Sequence, residues 1–334
     1  MHDNGLSQQM KKHLHIINWA ADYLGSIGKS LLGPAKVIQE TPWSNVIQLP
    51  TLCGYYYLKQ PAPLLAKEAS VIRILERQFN VNVPFVEAIN DELHCFIMKD
   101  AGVTLRHYIN EENKSGLLCQ AIKEFTAFQR VIESSLHSFL KLGLPDWRLH
   151  QLLNSYKEII NDKEFLKADG VTNQELDKLK NLTPLIAEQL QELSKYDIPE
   201  TVVQPDFNTN NILINPQTKQ LTIIDLGELA ISHPFFSLHN FLFTTLTHHD
   251  VHEQDPIWKK MVKTSIKSWS DLWPQKKLLA GYALSKKLWP IYFVCVNYHF
   301  MHSVDLQALN SWYVNKPNRL ANTFRLYMTS NNIS

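Results

Sequence analysis

The segment QPDFNTNNILINPQTKQLTIIDLG, residues 204–227, decides the fold of this chain. It contains two short aliphatic and β-branched runs, 212–214 and 221–224, of the kind that form β-strands. Between them lies the polar stretch Asn215-Pro216-Gln217-Thr218, which begins with a turn-forming Asn-Pro pair. The segment therefore predicts a β-hairpin.

Three polar side chains flank this hairpin. Asp206 precedes it, Asn211 enters its first strand, and Asp225 leaves its second strand. Antiparallel pairing should return Asn211 and Asp225 to one end of the hairpin, because neighbouring strands lie roughly 5 Å apart. A lone Asp and Asn at this spacing could be chance loop residues, and Asp225 alone could be a turn residue before Gly227. The hairpin and the second Asp together favour a functional arrangement.

The chemistry of these residues points to a kinase. Magnesium prefers hard oxygen ligands and keeps its other positions for water and phosphate, so an amide and a carboxylate suit it. An Asp followed five residues later by an Asn, and then by an Asp beyond a hairpin, is the kinase order of base and metal ligands. We expect Asp206 beside an acceptor hydroxyl, and Asn211 and Asp225 on one or two Mg²⁺ ions.

A lysine and a glutamate upstream fit the same chemistry. Lys59 ends a predicted strand, and Glu68 lies in the helix that follows. A lysine there can neutralise the α- and β-phosphates of a nucleotide, and a helix glutamate can hold it extended through an ion pair. Each residue alone is more often a solvated charge. Glu76, further along the helix, is a competing partner for Lys59.

The first hundred residues alternate between helix and strand patterns. Apolar spacing from about residue 10 to 32 predicts a helix that ends at Gly33-Pro34, and 65–79 returns to helical period. β-branched and aromatic runs predict five strands, at 36–39, 45–49, 55–59, 84–86 and 94–98. We expect a five-stranded antiparallel sheet with one inserted helix.

The rest of the chain is mostly helical by pattern. Apart from the hairpin, helical spacing predicts helices near 104–112, 117–141, 149–161, 173–194, 235–247, 256–270, 275–297 and 302–327. The fold class is α+β, with residues 1–100 as an N-terminal lobe and 101–334 as a larger helical lobe.

Composition limits the partners and the compartment. Lysine and arginine total 33 against 32 aspartates and glutamates, which is not the basic excess that attracts nucleic acid. The longest apolar run, 288–296, contains Pro290 and is too short to cross a bilayer. The start of the chain lacks the apolar core of a signal peptide, and the four cysteines are scattered without metal spacing. We therefore expect a cytoplasmic protein with no nucleic-acid or membrane partner.

The predicted loop over the nucleotide phosphates is unusual. The turn between the first two strands, 40–45, reads Glu-Thr-Pro-Trp-Ser-Asn and contains no glycine. Hydroxyls and backbone amides of Thr41, Ser44 or Asn45 would have to cover the phosphates. This weakens the interpretation as a protein kinase, which uses a Gly-rich loop.

At these positions the sequence resembles the aminoglycoside phosphotransferase and choline kinase superfamily. That superfamily carries the motif H-G-D-x-H-x-x-N and a later D-x-[DEG], and the same columns here read 204–211 and Asp225-Leu226-Gly227. Similar segments also occur at 57–59, 98–102, 144–148 and 233–236, so the resemblance extends from about residue 36 to 330.

The resemblance implies a protein-kinase-like two-lobe fold that uses ATP and Mg²⁺. By the resemblance, Asp206 is the catalytic base, Asn211 and Asp225 bind the metal, and Lys59 binds phosphate. The segment 98–102, with Met98 and Asp100, is then the hinge that receives adenine.

Three positions depart from the superfamily pattern. Gln204 replaces the first motif histidine, and an amide can donate and accept hydrogen bonds in its place. Asn208 replaces the second histidine, which changes the expected contacts to the acceptor. Ser237 stands where the superfamily commonly has Asp, so the support of the catalytic loop should differ.

Several other features carry open interpretations. Glu228 is either an auxiliary metal ligand or a solvated turn carboxylate, and His248-His249-Asp250 is better explained as a solvated loop than as a metal site. Four aromatic residues could line a cation-binding acceptor pocket or could be core, the commoner case: Trp273, Trp289, Tyr292 and Trp312.

Two functional hypotheses follow. The first is an ATP-dependent phosphotransferase that acts on a hydroxyl of a small molecule, such as an aminoglycoside-, choline- or sugar-like acceptor. The second is a nucleotide-binding scaffold without turnover, suggested by the loss of both motif histidines. Phosphorylation of protein substrates ranks third. The sequence identifies neither the acceptor nor the oligomeric state.

Overall fold

The computed structural model describes residues 12–333. The chain divides into two compact units. The first takes the described residues up to Gly102, together with 222–227 and 303–312. The second takes 103–221, 228–302 and the remainder from Tyr313. The short segment 222–227 thus brings the end of the predicted hairpin into the first unit.

The first unit is built on the predicted antiparallel sheet. Its strand order is β1-β2-β3-β5-β4, and all pairs are antiparallel. The strands are β1 (Lys36–Glu40), β2 (Ser44–Thr51), β3 (Gly54–Pro61), β4 (Val86–Asn90) and β5 (Cys95–Lys99). Helices α1 (Leu14–Ser26) and α2 (Glu68–Phe79) accompany it, with a short 3-10 turn at Pro63–Leu65 before α2. The inserted helix and four of the predicted strands are confirmed, but the fourth strand was predicted at 84–86 and lies at Val86–Asn90. Helix α1 ends at Ser26, before the predicted end at Gly33-Pro34, and the predicted helix residues 10 and 11 lie outside the described residues.

The core of this unit lies between α1 and the sheet. Ile16, Ala20 and Leu24 repeat at helical spacing on α1 and are fully buried, as are Ile47 and Leu58 of the sheet. These residues form one apolar cluster. Burial of this helical stripe against the sheet stabilises both elements, since apolar area removed from water contributes roughly 25 cal/mol per Å².

The second unit is mainly helical. Its longer helices are α4 (Lys114–Ile132), α6 (Leu149–Asn161), α8 (Asn173–Lys195), α9 (Phe235–His249), α10 (Pro256–Trp269), α11 (Gln275–Ser303) and α13 (Arg319–Ser330). The shorter ones are α3 (Leu105–Tyr108), α5 (Leu136–Lys141), α7 (Lys163–Ala168) and α12 (Leu306–Trp312), the last of which falls within the first unit. Helix α10 packs closely on α4.

Two predicted helices are each divided into two. The pattern at 117–141 covers α4 and α5, which a 3-10 turn at Glu133–Ser135 separates. The pattern at 302–327 continues across a break between α12 and α13, where Pro317 cannot donate a backbone hydrogen bond. Asn318 follows with a φ of +61°, a left-handed conformation that ends regular helix. Helix period alone does not reveal such a break, because the apolar residues on both sides remain in phase.

Two small sheets complete the structure. The predicted hairpin is present as β8 (Ile212–Ile214) and β9 (Leu221–Ile223), in a sheet of order β6-β8-β9 with β6 (Val103–Thr104). Strands β7 (Thr201–Val203) and β10 (Ala230–Ser232) pair with each other and were not predicted. Each is a three-residue run buried throughout, too short to show a period of two.

Within residues 12–333, the structure contains no helix with both the length and the apolar character needed to span a membrane.

Candidate active site

Lys59 lies at the centre of a buried charge cluster in the first unit. Its ammonium is 2.8 Å from Glu68 Oε1 and 2.7 Å from Asp225 Oδ1. Lys59 and Glu68 are 5% and 2% exposed, whereas the Asp225 side chain is 40% exposed. The predicted Lys59–Glu68 ion pair is therefore present, and Glu76, roughly two turns further along α2, is not the partner.

Strand register and a helix start explain this meeting. Lys59 pairs with Val46 and Phe96 in the middle of the sheet, so its backbone is fixed on both sides. Glu68 is the first residue of α2, where a carboxylate interacts favourably with the helix dipole. The burial of Lys59 would by itself lower its pKa, but the carboxylates of Asp225 and Glu68 raise the pKa above its usual value. The lysine is thus held positively charged.

The backbone at Asp225 is strained. Its φ is +60°, in the left-handed region that costs a non-glycine residue roughly 1 kcal/mol or more. The backbone of the next residue is fixed, because the Leu226 N–H donates to Glu68 Oε1 at 3.1 Å. Glu68 therefore holds both Lys59 and the backbone beside Asp225. The strained conformation presents a partly exposed carboxylate next to a buried lysine.

In the second unit, Asp206 is held by two amides. Asn208 Nδ2 donates to Asp206 Oδ1 at 2.9 Å, and Asn211 Nδ2 donates to Asp206 Oδ2 at 2.8 Å. Both amides also bind the Asp206 carbonyl oxygen, each at 2.9 Å. Asn208, the residue in place of the second motif histidine, thus orients the predicted base.

Ser237 supports the start of this loop. Its hydroxyl accepts the Gln204 N–H at 2.9 Å and donates to the Gln204 carbonyl at 3.1 Å, and it is fully buried. Ser237, which stands in place of the expected Asp, therefore supports the loop through the main chain of residue 204.

Aromatic packing anchors the same loop. The Phe207 ring stacks between Phe125 and Phe241, with centroids 4.0 and 4.7 Å away. Asn240 Nδ2 also donates to the Phe207 carbonyl at 3.2 Å. The backbone that follows Asp206 is therefore fixed by packing and by hydrogen bonding.

His249 also belongs to this support. Its Nε2 lies 2.8 Å from Thr209 Oγ1, and its carbonyl accepts a bond from the Lys114 ammonium at 3.1 Å. Burial lowers the pKa of His249 to about 4, so its imidazole is neutral near pH 7. The interpretation of 248–250 as a solvated loop was wrong for His249, because this residue lies in the last turn of α9 and faces the loop.

Arg106 is a further charged neighbour that sequence reasoning missed. The backbone N–H of Arg106 donates to the Thr209 carbonyl at 2.9 Å. Its guanidinium Nη2 lies 3.5 Å from Asn208 Oδ1. Burial lowers its pKa, while the Asp206 carboxylate acts in the opposite direction. The guanidinium thus places a positive charge beside the predicted base.

The predicted hinge residues lie at the end of β5. Met98 pairs with Tyr57 and Val86, and the Asp100 N–H donates to the Tyr55 carbonyl at 3.2 Å. Asp100 Oδ1 accepts the N–H of Gly102 at 3.0 Å, which fixes the turn that leaves the strand. Their role in binding adenine stays a prediction.

The donor set fits magnesium. The bonds that Asn211 makes to Asp206 use its amide nitrogen, so its amide oxygen is the atom type available for a hard cation. Lys59, Glu68 and Asp225 together carry one excess negative charge, which favours a cation at the exposed carboxylate.

The structure brings Lys59, Glu68 and Asp225 together in one unit, and Asp206 and Asn211 together in the other. A cation shared by Asn211 and Asp225 stays a prediction.

The four aromatic residues have different surroundings. Trp289 and Tyr292 are buried in α11, where Tyr292 stacks on Phe236 with centroids 4.6 Å apart. Trp312 is 53% exposed and meets Trp43 edge-on at 5.7 Å. The core interpretation is therefore confirmed for Trp289 and Tyr292.

The sequence matches no family model and no curated protein. Its fold, however, is similar to solved structures of small-molecule phosphotransferases. A macrolide 2'-phosphotransferase of type I has 14% identity and a TM-score of 0.57, with 93% of this chain and 96% of that chain covered. A GDP complex of an aminoglycoside 2'-phosphotransferase-IIIa mutant has 14% identity and a TM-score of 0.56, with 96% and 97% covered.

An ethanolamine kinase from Plasmodium vivax is also similar. It has 11% identity and a TM-score of 0.59, with 89% of this chain and 84% of that chain covered. Because each comparison covers more than four-fifths of both chains, the likeness extends over both units. The chain has the kinase-like α+β fold that these phosphotransferases share.

Proposed function

We propose that this protein is an ATP-dependent phosphotransferase that moves the γ-phosphate of Mg-ATP to a hydroxyl of a small molecule. The observation that carries the proposal is the buried Lys59 held between Glu68 and Asp225, at 2.8 and 2.7 Å. A lysine fixed by a helix glutamate, beside a metal-type carboxylate, is the phosphate-binding arrangement of kinases.

The nucleotide would be bound through its phosphates and its base. Lys59 contacts the α- and β-phosphates, and the segment around Met98 and Asp100 receives adenine. Asp225 and Asn211 would hold Mg²⁺, which would supply positive charge to the phosphates.

Asp206 acts on the acceptor. The acceptor oxygen bonds to the γ-phosphorus, the bond from that phosphorus to the β-phosphate oxygen breaks, and ADP leaves. The hydroxyl proton passes to the Asp206 carboxylate. In a loose transition state of this kind positioning dominates, so the rigidity that Asn208 and Asn211 impose on Asp206 supports the role.

We infer a small hydroxylated acceptor. The similar structures are named for macrolides, aminoglycosides and ethanolamine, which are small molecules with hydroxyl groups.

We place the activity in the cytoplasm. The four cysteines form no disulfides and two of them, Cys95 and Cys295, are buried, as is usual in a reducing compartment.

The test combines binding and turnover on the full chain. Thermal stability is measured with and without Mg-ATP, and ATP consumption is followed across a library of small alcohols, amino alcohols, sugars and antibiotics. Stabilisation by Mg-ATP together with acceptor-dependent ADP formation supports the proposal. Stabilisation without turnover on any acceptor favours the nucleotide-binding scaffold. The absence of both stabilisation and turnover contradicts both hypotheses.

A further inference from the structure

A lysine-rich segment stands apart from the otherwise balanced charge of the chain. Residues 256–287 contain eight lysines and one acidic residue, Asp271, out of 33 basic and 32 acidic residues, which leaves 25 basic against 31 acidic elsewhere. Asp271 is already paired, since Arg130 of α4 binds both its oxygens at 3.0 and 2.6 Å. The positive charge of the segment is therefore not compensated from within.

The same segment, together with Glu253, lines an open cavity of about 400 Å³ between α10 and the first half of α11. Trp258, Ile266 and Tyr282 contribute an apolar floor. Trp258 belongs to α10 and Tyr282 to α11, so both helices contribute to this floor. Cavities of roughly 300–1,000 Å³ with mainly apolar lining are the usual size for small organic ligands.

Three lysines line the cavity, at 259, 263 and 286. Lys286 forms an ion pair with Glu253 at 2.5 Å. In the described part of the chain, neither Lys259 nor Lys263 has a carboxylate within ion-pairing distance, and both are exposed. Two uncompensated ammonium groups therefore stand above an apolar floor.

We propose that this cavity binds a small amphipathic anion. An aromatic or aliphatic body would lie on Trp258 and Tyr282, and a carboxylate, sulfate or phosphate group would pair with Lys259 and Lys263. The site is concave, so it suits a small ligand better than the flat surface of a membrane. The inference rests on this cavity alone and does not depend on phosphotransfer.

A matched pair of fluorescent dyes tests the charge requirement. 8-Anilinonaphthalene-1-sulfonate is an amphipathic anion, and N-phenyl-1-naphthylamine is a neutral compound with the same aromatic body. The native chain should bind the sulfonate at least about fivefold more tightly, as two exposed ion pairs would provide. Equal affinity, or no binding of the sulfonate, overturns the proposal.

Two double variants locate the site. Lys259→Gln with Lys263→Gln should weaken sulfonate binding about fivefold to tenfold and leave the neutral dye unchanged. The matched control, Lys276→Gln with Lys277→Gln, removes the same charge from the same segment outside the cavity and should have little effect. Equal losses in both variants would show a diffuse charge effect and overturn the site.

Two more measurements distinguish this cavity from a nucleotide site and from a membrane-binding surface. Saturating Mg-ADP should not displace the sulfonate, because displacement would place the dye at a nucleotide site instead. Sedimentation with vesicles of anionic phospholipid should not occur. Cosedimentation that both double variants abolish equally would make the segment a membrane contact and contradict the proposal.

Discussion

Lys59 Nζ lies 2.7 Å from Asp225 Oδ1, although 166 residues separate the two in the chain. The contact joins the middle of the sheet to the exit of the hairpin. Asp225 keeps a left-handed backbone there, with a φ of +60°. A strained residue persists only where its surroundings fix it, and such positions concentrate at functional sites. Here Lys59 and Glu68 fix it.

Removing the charge of Glu68 should weaken nucleotide binding. Glu68→Gln keeps an oxygen that can accept the Leu226 N–H but loses the ion pair that holds Lys59 extended. We expect the Kd for Mg-ATP, measured by calorimetry, to rise about tenfold, equal to about 1.4 kcal/mol. Glu76→Gln on the same helix is the control and should leave the Kd unchanged. An unchanged Kd in Glu68→Gln would argue against its support of Lys59.

Removing the Ser237 hydroxyl should loosen the loop that carries Asp206. Ser237→Ala leaves the buried Gln204 N–H without the acceptor it now has. Such a loss costs about 1–3 kcal/mol of unfolding free energy, measurable by urea denaturation. Ser268→Ala, which removes a hydroxyl that donates to the Thr264 carbonyl of its own helix at 2.9 Å, should change stability by much less. Equal effects in the two variants would contradict the proposed support.

Stability should fall at mildly acidic pH. Burial lowers the pKa of His233 to about 3 and that of His249 to about 4. Unfolded imidazoles bind protons below about pH 6.5, whereas these two stay neutral in the folded state. Their contribution is complete above pH 6.5 and decreases toward pH 4, by up to about 1.4 kcal/mol per pH unit for each group.

Urea denaturation at several pH values measures this slope. His249→Gln should reduce it between pH 6.5 and 4, because one of the two groups no longer binds a proton on unfolding. His137→Gln changes an exposed histidine and should leave the slope as it is. A slope unaffected by His249→Gln would mean that other groups govern the acid sensitivity.

Local sequence signals were sufficient for much of the fold. The five strands of the first sheet, the helix at 149–161 and the hairpin after Asn211 each have a period or a turn signal within a few residues. The sequence order of Lys59 and Glu68 also predicted an ion pair that the structure contains. These features depend on neighbours in the sequence or on one recognised motif.

Features formed by distant segments could not be predicted. Strands β7 and β10 are three residues each and exist because they pair with each other. The supports of the Asp206 loop come from α3 and α9, at Arg106, Ser237 and His249, and nothing local marks these residues. A Ser in place of the expected Asp at 237 was the one available signal, and it indicated a change without revealing the new hydrogen bonds.

The most direct test of the proposed function is phosphorus NMR of the reaction with Mg-ATP and the acceptor found by screening. The native chain should form ADP and a new phosphate monoester in equal amounts. Asp206→Asn should bind Mg-ATP with similar affinity but form the ester at least about 100-fold more slowly, because it lacks a base for the hydroxyl proton. An ester formed equally fast by Asp206→Asn, or ADP formed without any ester, would contradict the account.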